Sequence, residues 1–301
     1  MEKPDNIPVS LLTEVTTFHS RTFDWKPVLS NAKHSYFHVN RLETFVNEMT
    51  FPSPPHRKPI FDFIYQRKGY SKRSKGLSMY EFGDSSIFFL PAYQITQHEI
   101  MTVDTEGFFC HFDDQLFHYL PKNFLSDNYT FFQFQANPVV KLTPTAMRNV
   151  EALLERLLEL YKKEGIDKSI IATYLLTLFE EVKIALPCQA KKTKNAFFQI
   201  TEQYKHALVN HIYQKQTIAD YAHLLNISPN YLNKCVINSI NKTAQDLLNE
   251  MLILEAKTLL KYTDLQIAEI AVKLRNQTPS NFARFFKIQT GITPKEYLEM
   301  Y

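Results

Sequence analysis

The stretch "AHLLNISPNYLNKCV" (residues 222–236) reads as the end of one short helix, a sharp break and a second helix. Asn226 suits the turn. Ser228 can cap the second helix, and Pro229 opens it where a missing N–H costs nothing. With Asn226 at the turn, Ile218, Tyr221, Ala222, Leu225, Ile227, Leu232 and Cys235 fall where a helix-turn-helix buries side chains. Ala222 stands where the two helices cross closely, and a larger side chain there would force them apart. Asn230, Asn233, Lys234 and Asn238 remain outward. They read either as an ordinary solvated face or as a reading surface, because Asn pairs bidentately with adenine and Lys reaches guanine or phosphate.

The pattern returns about fifty residues on as "IAEIAVKLRNQTPSNFARFFK" (267–287). Ile267, Ile270 and Leu274 form its first apolar side, Ala271 takes the place of Ala222, and Thr278-Pro279 repeats the cap and proline. Phe282, Phe285 and Phe286 point inward. Gln277, Thr278, Ser280, Asn281, Arg284 and Lys287 are the outward candidates for DNA contact, as Ser228 is in the first copy. The helix closes at Gly291, and Thr293 with Glu296 forms a capping box for a last helix. Between the copies "TAQDLLNEMLILEAKTLLKY" (243–262) has no Gly or Pro and is apolar over more than one face, as a helix packed between two lobes should be. Its length of about 30 Å compares with the roughly 34 Å between successive major grooves on one DNA face.

These residues carry a resemblance. The region from about Phe197 to Tyr301, a third of the chain, resembles the DNA-binding domain of AraC/XylS-type transcription regulators, above all in "DLQIAEIAVKL" and "SNFARFFKIQTGITPKEYL", with "ISPNYLNK" and "EAKTLL" agreeing in the first half. Two departures stand out. Arg275-Asn276 replaces a Gly-Phe pair usual in the second turn, where Arg would adopt a left-handed conformation at some cost. Leu252 replaces a basic residue common in the linker helix, so a phosphate contact of the family is missing.

The rest of the chain has another texture. "IFDFIYQ" (60–66), "SIFFLPAY" (86–93), "GFFCHF" (107–112) and "TFFQFQ" (130–135) are short runs of strand formers bounded by turn residues, as in an antiparallel sandwich or barrel. "VNRLETFVNEM" (39–49) reads as a helical exception. A helix capped by Thr143 follows, with Pro144 in its first turn and Gly165 as its stop, and a second helix ends at Pro187. Met147, Val150, Leu154, Leu157 and Tyr161 repeat with heptad spacing. That stripe reads equally as a cover for the β-domain or as a homodimer contact. "PCQAKKTKN" (187–195) is polar and basic, and reads as a linker.

Composition bounds the class. With 301 residues, 45% apolar and 22% charged, the chain is long enough for two domains and ordinary for a soluble globular protein. Three scattered cysteines argue against a disulfide framework, and no signal peptide or bilayer-length apolar run is evident, so the cytoplasm is the expected compartment and no membrane partner is expected. From residue 191 onward 14 Lys/Arg face 9 Asp/Glu, so the basic balance lies in the helical third, which suits a polyanionic partner.

In regulators of the resembled kind the partner domain is often a cupin-like β-barrel that senses a small molecule. "FPSPPHRKPIFDFIYQRKG" (51–69) and "YEFGDSSIFFLPAYQITQ" (80–97) resemble parts of that barrel. His56, Arg57, Phe63, Tyr65 and Tyr93 are the candidate effector contacts, although the aromatic residues read equally as sandwich core. Cupins also include metal enzymes, but His56 is followed by Arg57-Lys58 rather than a second close His, and Thr96 occupies the later ligand position. No metal centre, cofactor or catalytic residue is expected.

The expected fold is α+β. It comprises a cupin-like antiparallel β-barrel (a jelly roll, 1–142), a helical dimerisation or coupling segment (143–187), a linker (188–195) and an all-α domain with two helix-turn-helix motifs joined by a long helix (196–301). The expected function is a bacterial-type, sequence-specific transcription regulator binding double-stranded DNA as a homodimer and responding to an unknown small-molecule effector, with RNA polymerase as a further partner if it activates. The alternatives are a metal-independent cupin enzyme with an accessory helical domain, and a DNA binder whose β-domain only dimerises.

Overall fold

The computed structural model describes residues 36–186 and 196–300, apart from 45, 122, 134, 135, 164 and 276. The expected linker at 188–195 lies outside the described residues.

The β-rich region starts with strand β1 (Phe37–Arg41). It continues through β2 (His56–Arg57), β3 (Phe61–Lys68), β4 (Tyr70–Lys75), β5 (Ser78–Gly83), β6 (Ser86–Leu90), β7 (Ile95–Thr96), β8 (His98–Met101), β9 (Glu106–Phe112) and β10 (Val139–Lys141). A five-stranded sheet runs β1-β9-β3-β6-β10, β5-β4-β8 form a second sheet and β2-β7 a short pair, all antiparallel. The strands are antiparallel as expected, but among the described residues these sheets stay open and do not close into a barrel.

Strand alternation gives the large sheet two unlike faces. Phe63 and Tyr65 of β3, Ile87 and Phe89 of β6, and Phe108, Cys110 and Phe112 of β9 share one buried cluster. The other face carries Ile64, Phe88 and Phe109 beside Phe82 and Met101 of the second sheet. Across the same gap Arg73 of β4 grips Asp62 of β3 in a bidentate ion pair, at 2.9 and 2.8 Å.

Helices cover the aromatic face. After the short α1 (Phe124–Asn128), α2 (Pro144–Tyr161) starts where Thr143 accepts from the Ala146 N–H, and α3 (Lys168–Ala185) is capped by Asp167. Phe179 of α3 sits among Phe63, Phe112, Phe131, Phe132 and Tyr129, with ring centroids 5.1–6.2 Å away. Edge-to-face and tilted contacts of this kind add to the area that each ring buries. Val150, Leu154, Leu157 and Tyr161 are buried in this same cluster, with Met147 half-buried against it. The heptad stripe, equally open to a second subunit in the sequence, is therefore consumed by the chain's own core.

Two local expectations fail for identifiable reasons. Residues 39–49 are not one helix: β1 runs to Arg41 and two single 3-10 turns follow, because His38 to Arg41 pair in register with His111 to Phe108. In "TFFQFQ", Thr130–Phe132 form a 3-10 turn rather than a strand, since Phe131 and Phe132 serve as core plugs against Phe179.

The helical third contains α4 (Ala196–His211), α5 (Ile218–Leu224), α6 (Pro229–Ile240), α7 (Ala244–Tyr262), α8 (Ile267–Arg275), α9 (Pro279–Thr290) and α10 (Pro294–Met300). Its core takes in Ile95 from the β-rich region, with Leu77 packed beside it. The two regions are also joined by a buried ion pair between Arg57 of β2 and Glu255 of α7. Among the described residues no helix is long and apolar enough to cross a membrane.

Two stability predictions follow from these joints. Arg57→Ala leaves the Glu255 carboxylate enclosed without its cation and should cost about 3–5 kcal/mol, whereas Arg57→Met combined with Glu255→Met should be near neutral; urea unfolding of both variants compares them. At the other end of the β-rich region, the buried His38 ring accepts from or donates to the Tyr161 hydroxyl at 2.7 Å. Burial, and then the Lys58 charge, lower its pKa to about 4. The unfolded ring titrates near 6.5, so the neutral buried form stabilises fully above that value and loses this contribution as pH falls from about 6.5 to 4. Wild type should lose up to about 3 kcal/mol more stability across that window than His38→Leu.

Candidate nucleic-acid interface

Each turn of the helical third is built by residues with a physical reason to be there. Thr217 and Asp220 cap α5 reciprocally. Hydrogen bonds from the Thr217 side chain, then from the Thr217 and Gln216 N–H groups, hold the Asp220 carboxyl below the usual carboxylate range. Asn226 takes the left-handed conformation, φ 55°, which Asn tolerates better than most residues with a Cβ. Ser228 then accepts from the Tyr231 N–H to start α6. In the second copy Thr278 accepts from the Asn281 N–H to start α9, and Gly291 ends that helix at φ 83°. Ala222 and Ala271 are both buried at the helix crossings.

Arg275 departs from its expected strain. It remains helical as the last residue of α8, outside the left-handed region, and its guanidinium lies 5.5 Å from the Phe285 ring centroid. Burial lowers its pKa. Asn276 lies outside the described residues.

The outward candidates divide. In the first motif Ser228, Asn230, Lys234 and Asn238 are exposed. Lys234 also lies 6.0 Å from the Phe197 ring centroid, and the Asn238 amide donates to the Lys234 carbonyl. Asn233 behaves differently: it is half-buried, and its side-chain oxygen accepts from the Ala244 N–H at 3.0 Å. That bond satisfies an orphan donor in the first turn of α7 and ties α6 to it, so Asn233 is turned toward the linker helix rather than outward. In the second motif Thr278, Ser280, Asn281, Arg284 and Lys287 are exposed, while Gln277 is half-buried in the turn with its N–H on the Ala271 carbonyl. Exposed Tyr231 and Ile237 on α6 and Ile288 on α9 were not among the sequence candidates. Their spacing from Lys234 and Arg284 places them on the same stripes, where apolar groups can meet thymine methyls.

Among the described residues the effector candidates are held in two separate sets of contacts. Phe63 and Tyr65 face the helices, Tyr65 donating to Glu151 of α2. Arg57 is engaged by Glu255 and by the Tyr93 carbonyl, and His56 is buried with its ring nitrogen 3.2 Å from the Pro54 carbonyl. A groove of about 210 Å³ lies elsewhere, between the β4-β5 hairpin (Ser74, Leu77, Met79) and α7 (Ile253, Leu254, Lys257), with Gln289 of α9 at its edge. The sequence reading missed Glu255. A lone acid inside "MLILEAKTLL" was the available signal.

Residues 221–300 match a known family described as a helix-turn-helix domain. Two Bacillus subtilis proteins, both described as uncharacterized HTH-type transcriptional regulators, are similar. YisR is 29% identical over 120 residues, which is 40% of this chain and 42% of YisR. YtdP is 30% identical over 91 residues, 30% of this chain and 12% of YtdP. The chain thus spans less than half the length of either relative. Among solved structures, ToxT from Vibrio cholerae aligns over 88% of this chain and 98% of its own at 17% identity and a TM-score of 0.43. The carboxy-terminal domain of AraT from Geobacillus stearothermophilus aligns over 36% of this chain and 89% of its own at 27% identity and a TM-score of 0.33. Residues 221–300 of this chain thus form a helix-turn-helix domain similar to those of HTH-type transcriptional regulators.

Proposed function

We propose that the chain is a sequence-specific DNA-binding transcription regulator whose two motifs read adjacent major grooves and whose β-rich region responds to a small molecule. The observation that carries this reading is the repeat of capped, polar-faced second helices, α6 and α9, on either side of the long helix α7 in the chain. Lys234, Arg284 and Lys287 supply charge to phosphate or guanine; Asn230, Ser280 and Asn281 supply base contacts. Ser228 and Thr278 donate or accept at the helix N-termini, where phosphate oxygens also bind. Asn233 acts on this surface by anchoring α6 to α7.

Arg284→Ala should cost about 1–3 kcal/mol of discrimination between a duplex selected from a random pool by the wild-type chain and an unrelated duplex. Fluorescence anisotropy at fixed salt measures it; unchanged relative affinity removes Arg284 from the readout.

The groove between the β4-β5 hairpin and α7 supports the effector part of the reading, because it touches both the β-rich region and the helix that carries the two motifs. A second reading, in which the β-rich region only holds subunits or the linker helix in place, is favoured by the consumption of Arg57, Phe63 and Tyr65 in internal contacts. A thermal-shift screen of metabolites separates the two. A stabilising compound whose effect is lost in Leu254→Trp, which fills the groove, supports sensing there; no stabilising compound favours the mechanical reading.

A further inference from the structure

Glu255 is fully enclosed, unlike the other charged side chains of α7. Its carboxylate gathers groups from separate parts of the chain. Arg57 of β2 donates to both oxygens, at 2.5 and 3.1 Å, and the Tyr213 hydroxyl donates to one of them at 2.6 Å. Tyr213 lies in the turn after α4, four residues before the Thr217 cap of the first motif. The Lys273 ammonium of α8, in the second motif, stands 5.4 Å from the centroid of the Tyr213 ring. The remaining Arg57 donor, Nε, reaches the Tyr93 carbonyl at 3.0 Å, so the guanidinium is held from both sides. Burial opposes the Arg57 charge, but Glu255 and Tyr213 more than offset it and its pKa is raised.

A bidentate pair between two planar groups demands one orientation, which an apolar contact of the same area does not. Here the orientation is that of α7 about its own axis relative to β2. Tyr213 extends this pair to the turn that leads into the first motif, and Lys273 over the Tyr213 ring extends it to α8 of the second, so the cluster fixes α7 against both motifs and the motifs against each other. We propose that Arg57, Glu255 and Tyr213 are positioning residues for DNA recognition, holding α7 at one rotation and thereby setting the spacing of half-sites that the two motifs accept together. The inference rests on the DNA-reading function proposed above. It gives the β-rich region a specific means of acting on DNA: a change at β2 alters which spacing is read, not how well each motif binds its own half.

The test uses the full chain and a duplex selected by it from a random pool, with the spacer between the two contacted blocks lengthened or shortened by one or two base pairs. Wild type should lose about tenfold in affinity on a changed spacer, as it would for a mismatched base pair. Arg57→Met combined with Glu255→Met, and separately Tyr213→Phe, should bring that ratio close to unity while affinity for either isolated block stays near wild type. Arg57→Lys keeps the charge but loses the fork, and should also flatten the spacer preference; it serves if the double variant does not fold. Folded variants that retain the full wild-type spacer ratio overturn the proposal, as does a wild type that selects a duplex but tolerates every spacer. A wild type that selects no duplex at all removes the DNA-reading function itself.

Discussion

A carboxylate enclosed in protein is tolerated only when it is paired and hydrogen-bonded, and Glu255 makes the linker helix dependent on groups it does not itself carry. Without Arg57 and Tyr213 that helix would present an uncompensated charge to its own core. The helical third therefore does not merely lie beside the β-rich region. It is completed by β2, by Ile95 in its apolar core, and by the Thr258 hydroxyl directed at the Pro55 carbonyl. A second buried charge pair, Asp62 with Arg73, does similar work between the two sheets.

The five-stranded sheet shows why the aromatic content of the first half is so high. Its helix-facing side is filled by rings from β3, β6 and β9, and Phe179 with the Thr130–Phe132 turn closes the space beneath α3. Leu154 and its heptad neighbours belong to that packing. A helix stripe records only that one side must leave water. Whether the apolar surface it meets belongs to the same chain or to another copy depends on where the sheet lies, which no local spacing encodes.

Legibility differed between the two halves for a physical reason. Caps and turns are settled by neighbours in sequence, so Ser228, Thr278, Gly291 and the Thr293–Glu296 box could be placed from their chemistry alone. Strands β4 and β5 were missed because "YSKRSK" and "SMYEFG" lack the apolar alternation of a half-buried strand. β4 pairs on both sides, and it buries Arg73 and Lys75 through bonds to Asp62 and to the Gln133 and Ala136 carbonyls. Asn233 misled in the opposite direction: the sequence marked it as outward and polar, while its oxygen is spent on the Ala244 N–H eleven residues away.

By itself the sequence determined the repeated motif, its caps, the close crossings at Ala222 and Ala271, and the helix between the copies, because all of these follow from hydrogen bonds and periodicity within a few turns of chain. Only the tertiary structure decided that the sheets stay open among the described residues, that the heptad stripe is internal, and that Arg57 pairs with Glu255. The two residues of that pair are 198 positions apart, and a buried charge chooses its partner by proximity in space.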